Sequence, residues 1–258
     1  MSSKILVIGE SCIDRFVYGV AQDRKCPEAP VFILTPSEST ENDGMAKNTL
    51  SNTLEIIKNA GEKITCDLIT NDQKIIKERF IDKASNYLLL RVDHNETNVN
   101  RISRKKINKD KLQQYSAIII SDYNKGFLHE DDIEYICKNH DTTFIDTKKI
   151  LGDFCSSAKY ININNFEYSK SQPFIDENLF KTKLIMTMGG AGCKYLDEIY
   201  PVEKVEVKDQ VGAGDTFVSA LAVKYILTKG NIIESIKFAN KCATNVVKRK
   251  GVVVPELV

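Results

Sequence analysis

Short apolar runs separated by amphipathic segments form the basic pattern of this sequence. The first run, Lys4–Gly9, ends in glycine and is typical of a buried parallel strand. Between Gly44 and Ala60 apolar residues recur at helical spacing, and Gly61 follows as a stop signal. Further strands are predicted at 64–69, 74–80, 87–92, 117–121, 143–146, 160–163 and 183–187. Predicted helices separate the later strands, an alternation typical of a parallel sheet flanked by helices.

A small β-rich extension interrupts this alternation in the first third of the chain. Two of the predicted strands form a hairpin around the turn 82–86, and short strands are expected at 16–18 and 31–34. The whole chain of 258 residues is therefore expected to form one α/β domain. Its extension is built from about 15–35 and 74–95.

Composition and charge narrow the class of protein. Hydrophobic residues make up 42% and charged residues 28%, as in ordinary globular domains, and a net charge of +1 gives no reason to expect a nucleic-acid partner. No apolar run approaches the ~20 residues of a membrane span. The N-terminus lacks the pattern of a signal peptide, so a cytoplasmic protein without a membrane partner is expected. Seven scattered cysteines without a C-x-x-C pair are interpreted as reduced thiols.

One glycine-rich segment is the strongest candidate for chemistry. Asp209–Phe217 opens a predicted helix, Ala213–Leu227, and a second helix is predicted at Ile232–Val247. Two glycines let the backbone approach an anion, and the free N–H groups of a helix start favour phosphate. Asp215, in the same turn, is placed to take a proton from a nucleophile. By spacing alone, a plain helix-capping turn explains the segment equally well.

The segment Val211–Phe217 (VGAGDTF) resembles the C-terminal signature of the ribokinase-like (PfkB) carbohydrate kinases. The resemblance implies a three-layer α/β sandwich with a mostly parallel central sheet and a small β-sheet lid. It also implies an ATP-dependent sugar kinase in which Asp215 deprotonates the acceptor hydroxyl. The anion hole for the transferred phosphate would be the backbone of Gly212, Ala213 and Gly214, in line with the dominance of charge stabilisation in phosphoryl transfer.

Further segments resemble the nucleotide side of this family, and they imply ATP and Mg²⁺ as cofactors. Asn164–Glu167 matches its N-x-x-E motif, with Glu167 near the metal, and Thr187–Gly192 resembles its T-x-G-x-x-G turn. Without the resemblance, a helix cap with a surface charge explains Asn164–Glu167, and a hairpin explains Thr187–Gly192. A solvated helix position explains Asn240. The residues assigned to the cofactor are Asp146, Lys148, Asn164, Thr187, Gly189, Gly192 and Asn240, of which Asp146 and Lys148 are equally explained by a buried ion pair.

Segments in the N-terminal third and in the middle of the chain are similar to the kinase half of the bacterial heptose-phosphate kinase/adenylyltransferase. The similar segments are 7–19, 27–31 (PEAPV), 121–126 (SDYNKG) and 145–148 (IDTK). This similarity implies phosphorylation of the anomeric hydroxyl of D-glycero-D-manno-heptose 7-phosphate to the 1,7-bisphosphate, which feeds synthesis of a nucleotide-activated heptose. The chain is expected to be a kinase without the adenylyltransferase half.

Candidate substrate residues follow from the same similarity. Asp14 would hold sugar hydroxyls, and cations in the extension would meet a substrate that already carries phosphate. Each cation alone is explained as well by a solvated strand position. The substrate residues assigned are Asp14, Arg15, Gly44, Asn48, Lys77, Arg79, Arg91, Asp122 and Lys125, the last two after a strand, where open α/β sheets bind ligands.

Two departures from the family pattern keep other readings open. Asp43 replaces one of the paired glycines before Asn48, and the region 61–74 is short by about one strand–helix unit, which predicts a narrower sheet. The alternatives are a ribokinase-like kinase of another sugar or a nucleoside, and a catalytically inactive binding or regulatory protein. A dinucleotide oxidoreductase is disfavoured because no G-x-G-x-x-G follows the first strand. A homodimer through the lid is expected, since an exposed sheet needs cover.

Overall fold

An eight-stranded sheet forms the centre of the computed structural model, which describes residues 3–23, 26–97, 99–249, 251 and 253–255. The strands of this sheet and of a second, four-stranded sheet are β1 (Lys4–Gly9), β2 (Ser11–Ala21), β3 (Leu34–Met45), β4 (Thr65–Ile69), β5 (Ile75–Asp82), β6 (Tyr87–His94), β7 (Ala117–Asp122), β8 (Thr143–Thr147), β9 (Tyr160–Asn164), β10 (Leu184–Thr187), β11 (Cys193–Tyr195) and β12 (Glu198–Tyr200). The central order is β12-β11-β10-β9-β8-β7-β1-β4. Six of its strands are parallel, and β11 and β12 form an antiparallel edge.

Helices cover both faces of the central sheet. They are α1 (Ala46–Asn59), α2 (Lys109–Leu112), α3 (Glu130–Asn139), α4 (Asn165–Ser171), α5 (Glu177–Phe180), α6 (Ala213–Leu227) and α7 (Ile232–Val247). The side chains of β1 alternate between the two faces, as a strand requires. Ile5 and Val7 pack with buried residues of α1, α6 and α7, whereas Leu6 and Ile8 share a core with α3. The result is the expected three-layer α/β sandwich.

The helix α6 is the most deeply buried of these elements. Residues 215–223 are all buried, so this stretch of the helix has no polar face for solvent. Its first turn lies near the C-terminal ends of the parallel strands: a methyl group on Gly214 would lie 3.3 Å from Asp146 in β8, and Asp215 contacts Tyr123, which directly follows β7. Open α/β sheets bind their ligands at that edge.

The second sheet has the order β3-β2-β5-β6 and forms the lid. The predicted hairpin is confirmed as β5 and β6, which pair antiparallel, while β2 pairs parallel to β5. The predicted boundaries of the first part were wrong. Its strands begin at Ser11 and continue to Met45, and of the predicted strand 31–34 only Leu34 belongs to a strand. Because all the side chains of β3 between its first and last residues are polar, proline or glycine, no apolar run marks this strand, and its pairing with β2 defines it instead.

Between α1 and β5 the described chain contains one strand, β4, and no helix, and β4 is the edge of the central sheet. The seven cysteines are all free thiols. Within the described residues, none of the helices combines the length and apolar character that a membrane crossing requires.

Gly9 ends β1 where the backbone of β7 comes closest. A methyl group on Gly9 would lie 1.8 Å from the carbonyl oxygen of Ser121, an overlap that neither strand can relieve without moving. We therefore expect Gly9→Ala to lower the free energy of unfolding by about 1–3 kcal/mol or more. Denaturant unfolding followed by circular dichroism measures this change. Gly190→Ala is the matched control, since nothing lies within 4 Å of its added methyl group. Equal unfolding midpoints for the two variants would contradict the prediction.

Candidate active site

The turn before α6 presents free backbone N–H groups. Gly212 adopts a left-handed conformation with φ 81°, which a residue with a side chain rarely adopts, and the helix begins at Ala213. The N–H of Ala213, expected in the anion hole, donates instead to the Gln210 carbonyl at 3.3 Å. The N–H groups of Gly214 and Asp215 have no hydrogen-bond acceptor among the described residues, and the first intrahelical bond is the one from Thr216 to the Gly212 carbonyl. These amides, with the positive end of the helix dipole, suit an anion.

Asp215 lies in the same turn and is buried, with 5% of its surface exposed. Its Oδ2 accepts a hydrogen bond from the amide nitrogen of Asn48 at 2.8 Å. Its Oδ1 accepts one from the hydroxyl of Tyr123 at 2.9 Å, and the hydroxyl of Thr49 lies 3.3 Å away. Asn48 and Thr49 are on the first turn of α1, and Tyr123 follows β7 directly, so the carboxylate joins three elements.

This environment raises the pKa of Asp215 to about 6, mainly because burial disfavours the charged form. The hydrogen bond from Asn48 opposes the shift, the negative charge of Asp146 adds to it, and Tyr123 and Lys148 oppose it. At neutral pH the group is therefore mostly ionised and can accept a proton. Such a pKa near the working pH is what a general base needs.

The C-terminal end of β8 places a second buried carboxylate beside the helix start. A methyl group on Gly214 would lie 3.3 Å from Oδ2 of Asp146, so this glycine leaves room for the carboxylate. Asp146 accepts hydrogen bonds from Asn162 at 2.9 Å and from Lys148 at 3.2 Å. Lys148 also contacts Glu167 at 2.8 Å. Burial alone would lower the pKa of Lys148, but the carboxylates of Asp146 and Glu167 raise it. The ammonium group therefore stays charged.

The Asn164–Glu167 motif forms a capping box at the start of α4. The side chain of Asn164 accepts the N–H of Glu167 at 2.9 Å, and Glu167 accepts the N–H of Asn164 at 3.1 Å. The helix-cap reading of this motif is therefore true, yet the cap also presents Glu167 to Lys148 at the site. In the described part of the chain no three His, Cys, Asp or Glu side chains are grouped to hold a metal ion. Mg²⁺ is usually held by one or two carboxylates, waters and phosphate oxygens, so Glu167 with Asp146 fits this mode of binding.

The other residues assigned to the nucleotide lie along one edge of the sheet. Thr187 donates to the Ile163 carbonyl at 3.3 Å, and Gly189 begins the tight turn that joins β10 to β11. A methyl group on Gly192 would lie 2.1 Å from the Tyr200 carbonyl oxygen, so this position requires glycine. The carbonyl of Tyr200 also accepts a hydrogen bond from Asn240 on α7, at 2.8 Å.

A cavity of about 250 Å³ lies between α7 and the segment that follows β12. Asn240 is part of its wall, together with Pro201, Val202 and Lys237. Asn240 is buried rather than solvated, which excludes the solvated-helix reading of this position. Its contact with an adenine base stays a prediction.

Asp14 is a buried carboxylate on the face of the lid sheet that faces the first turn of α6. Its Oδ1 accepts a hydrogen bond from Arg79 at 2.5 Å, and the guanidinium carbon of Arg79 lies 5.1 Å from the ring centroid of Phe16. A methyl group on Gly44 would lie 2.1 Å from Oδ2 of Asp14. Gly44 thus supports the site by leaving space for this carboxylate, and any backbone contact of Gly44 with a sugar stays a prediction.

Two lysines from different layers meet one carboxylate above this site. Lys77 on β5 and Lys125 in the loop after β7 contact opposite oxygens of Glu96, at 3.4 and 2.7 Å. The Nζ of Lys77 also lies 5.3 Å from the ring centroid of Tyr123. The side chains of Lys77 and Glu96 are largely buried, at 10% and 16% exposure, so this ion pair is screened less than a surface pair.

The four lid cations do not form a single cluster. Register pairs Arg79 with Arg91 on one face, whereas Arg15 pairs across the sheet with Glu78 and Glu41. Because neighbouring positions of a strand face opposite sides, Arg15 points away from Asp14, and it forms ion pairs with those two glutamates. Grouping Arg15 with the other lid cations was therefore wrong. Arg91 makes a two-bond contact with Asp93, at 2.7 and 2.8 Å.

Asp122 is fully buried and its oxygens are already engaged. Lys149 contacts it at 3.1 Å, the N–H of Asn124 donates to it at 3.1 Å, and the hydroxyl of Thr147 donates to it as well. These contacts hold the loop after β7 against the end of β8. Contact of Asp122 with a substrate stays a prediction.

Several residues of the site were not assigned from the sequence. Glu10 is fully buried and accepts hydrogen bonds from the backbone N–H groups of Tyr123, Lys125 and Phe127, at 2.9, 3.0 and 3.2 Å. Burial and the charge of Asp122 raise the pKa of Glu10. Its signal in the sequence is a charged residue directly after an apolar strand. The roles of Thr49, Tyr123 and Glu96 carry no such signal, because their partners lie far away in the chain.

Comparison with known proteins places the chain in a family. The family described as "pfkB family carbohydrate kinase" matches residues 52–257. The bifunctional protein HldE of a Nitratiruptor species is 30% identical over 295 residues, which cover 97% of this chain and 63% of that protein. HldE of Campylobacter curvus is 27% identical over 298 residues, at 96% and 62% coverage. The chain thus spans less than two thirds of these relatives, and each alignment is longer than the chain itself, so parts of the matched region are missing here.

Solved structures support the fold. The ribokinase of Thermotoga maritima superposes with a TM-score of 0.70 at 17% identity and covers 96% of this chain and 94% of its own. The phosphofructokinase-2 of Escherichia coli superposes with a TM-score of 0.68 at 10% identity, with 99% and 96% coverage. These structures confirm the expected ribokinase-like fold. The family match confirms the expected enzyme class, an ATP-dependent carbohydrate kinase. The chain therefore belongs to the pfkB family of carbohydrate kinases.

Proposed function

We propose that this kinase phosphorylates the anomeric hydroxyl of a seven-carbon sugar 7-phosphate, D-glycero-D-manno-heptose 7-phosphate, to the 1,7-bisphosphate. The observation that carries the kinase assignment is the first turn of α6, where a buried carboxylate and free amides share one site. The choice of sugar is supported by the motif similarity to the heptose-phosphate kinase half. The bifunctional relatives, of which the chain covers less than two thirds, agree with that choice.

In this mechanism Asp215 is the general base. Its ionised carboxylate takes the proton of the acceptor hydroxyl as the oxygen attacks the γ-phosphorus of ATP. The free N–H groups of Gly214 and Asp215 and the dipole of α6 stabilise the negative charge that develops on the transferring group. Mg²⁺, when bound near Glu167 and Asp146, would neutralise charge on the phosphate oxygens. Lys148, held between those carboxylates, keeps a second positive charge at the nucleotide side.

The acceptor's own phosphate would bind at Lys77 and Lys125. Both ammonium groups already converge on one anion, the carboxylate of Glu96. Lys77 lies over the ring of Tyr123, whose hydroxyl contacts Asp215, so the lysine pair and the base are separated by one tyrosine side chain. A substrate with its reacting hydroxyl at one end and a phosphate at the other suits this separation. A phosphate dianion would compete with Glu96 for the two lysines.

Incubation of the purified protein with ATP, Mg²⁺ and a panel of sugars tests the proposal. We expect phosphorylation of the heptose 7-phosphate and little turnover of ribose, fructose or nucleosides. Asp215→Asn, which keeps the shape of the side chain but cannot take the proton, should lower kcat by about 10²–10⁴-fold. ATP binding measured by calorimetry should survive in this variant.

Two outcomes would contradict this assignment. Turnover of ribose without turnover of any sugar 7-phosphate would favour a kinase for a different sugar. Absence of phosphoryl transfer to every acceptor, with ATP binding retained, would favour the catalytically inactive regulatory protein.

The lysine pair provides a second prediction. Lys77→Met and Lys125→Met should each raise the KM for the sugar phosphate about 10–100-fold, because each removes one charge-assisted contact to phosphate. The KM for ATP should stay within about twofold, because the proposed contact is with the phosphate of the sugar and not with the nucleotide. Lys83→Met is the matched control, as this lid lysine is exposed and pairs with Glu38. Equal rises in KM for the sugar phosphate and for ATP would contradict a phosphate site here.

We also propose a homodimer through the lid. The strand β6 is an edge of the lid sheet, and Tyr87, Leu88 and Leu90 on it are 64%, 48% and 55% exposed. An apolar edge strand of this kind favours pairing with a second copy. Light scattering after gel filtration should give twice the mass of the chain, and Leu90→Lys should shift the mass toward the monomer. A monomer at micromolar concentration would refute the dimer.

A further inference from the structure

The hydrogen bonds to Asp215 are unevenly distributed between its two oxygens. Oδ1 faces two hydroxyl donors, Tyr123 at 2.9 Å and Thr49 at 3.3 Å. Oδ2 faces one donor, the amide of Asn48 at 2.8 Å. An ionised carboxylate offers about two acceptor positions on each oxygen. Oδ1 is therefore saturated, whereas Oδ2 keeps one acceptor position for a further donor.

We infer that Tyr123 is a positioning residue that saturates Oδ1 together with Thr49 and thereby leaves Oδ2 as the oxygen that takes the acceptor's proton. This inference rests on the proposed function. The acceptor's O–H bond breaks and its proton moves to Oδ2, while the oxygen bonds to the γ-phosphorus. The bond from that phosphorus to the bridging oxygen breaks, and its electron pair leaves with ADP. The neutral carboxyl of Asp215 then loses the proton to solvent.

The hydroxyl of Tyr123 is a donor that stays protonated and stays in place. Burial and the charges of Asp215 and Asp146 raise the pKa of Tyr123 well above its usual value. Two ammonium groups lie close to the ring, with the Nζ of Lys77 5.3 Å and the Nζ of Lys148 5.8 Å from its centroid. The backbone N–H of the same residue is bound by Glu10 at 2.9 Å. The side chain is thus held from the lid, from the nucleotide side and from the residue that follows β1.

Thr49 is fixed by the packing of the two helices that meet at the site. Its backbone carbonyl accepts a hydrogen bond from Ser219 on α6 at 3.0 Å. Its hydroxyl lies 3.2 Å from the hydroxyl of Ser121 on β7, which can donate to it in turn. The single proton of Thr49 is then available to the charged oxygen of Asp215, the strongest acceptor within reach.

The experiment compares pH profiles of kcat/KM for the sugar phosphate in the wild type and in Tyr123→Phe. Removing a hydrogen bond to the ionised carboxylate should move the acid limb of the profile upward by about one pH unit. With the acid limb of the wild type near pH 6, Tyr123→Phe should have a kcat/KM about fivefold below that of the wild type at pH 6. This difference should shrink at higher pH. The substrate phosphate also titrates near pH ~6. Its contribution is the same for both proteins and cancels in the difference between their profiles.

The groups that face Asp215 from the surrounding elements are unchanged by this substitution. They are Asn48 and Thr49 on α1, Cys12 on β2, and Asp146 and Lys148 at the end of β8. Tyr115→Phe is the matched control, because its hydroxyl donates to the carboxylate of Asp67 at 2.8 Å, on the opposite edge of the sheet from the nucleotide side. Thr49→Val, a second variant at the same oxygen, should shift the limb in the same direction by less.

A carbon-13 NMR titration of the Asp215 carboxyl provides a readout that needs no turnover. We expect its midpoint to rise in Tyr123→Phe and to stay unchanged in Tyr115→Phe. If the wild type transfers phosphate but both the acid limb and the NMR midpoint are unmoved in Tyr123→Phe, the inference fails and the proposed function stands. If the wild type transfers phosphate to no acceptor, the proposed function fails and the inference fails with it.

Discussion

The buried carboxylate of Asp215 is the group on which the arrangement of this molecule depends. Burying a charge is costly unless hydrogen bonds replace the lost water, and the donors here come from α1 and from the loop after β7. Neither α1 nor the loop is near Asp215 in the chain. Asp215 therefore has its hydrogen-bond partners only when α1 packs correctly against α6 and when the loop after β7 also reaches the carboxylate. The pKa of Asp215 is raised because these hydrogen bonds offset only part of the cost of burying its charge.

A second buried carboxylate, Glu10, organises the loop that carries one of these donors. It accepts three backbone N–H groups from the segment 123–127 and so holds both Tyr123 and Lys125. Glu10 directly follows β1, the strand next to β7 in the sheet. Lys125 then reaches Glu96, which also contacts Lys77 of the lid. A continuous set of polar contacts thus joins the central sheet, the base and the lid.

Much of this architecture could be predicted from the sequence because it depends on patterns of residues that are close together in the chain. The apolar runs marked the parallel strands, and the helix starting at Ala213 was placed correctly because a glycine turn precedes a largely apolar helix. The lid strand β3 was not readable, since its polar side chains leave no apolar run. Arg15 and Arg79 could not be told apart by composition, because only the strand register assigns them to opposite faces.

The sequence by itself determined the family, the sheet-and-helix order and the turn that brings Asp215 together with free amides, because all of these depend on residues close together in the chain. The tertiary structure alone decided which donors reach each oxygen of Asp215 and which cations share an anion. Those contacts join residues that are from 19 positions (Lys77 and Glu96) to 167 positions (Asn48 and Asp215) apart. Hydrogen bonds act over a few ångströms, so only the packed fold can select such partners from the many polar residues of the chain.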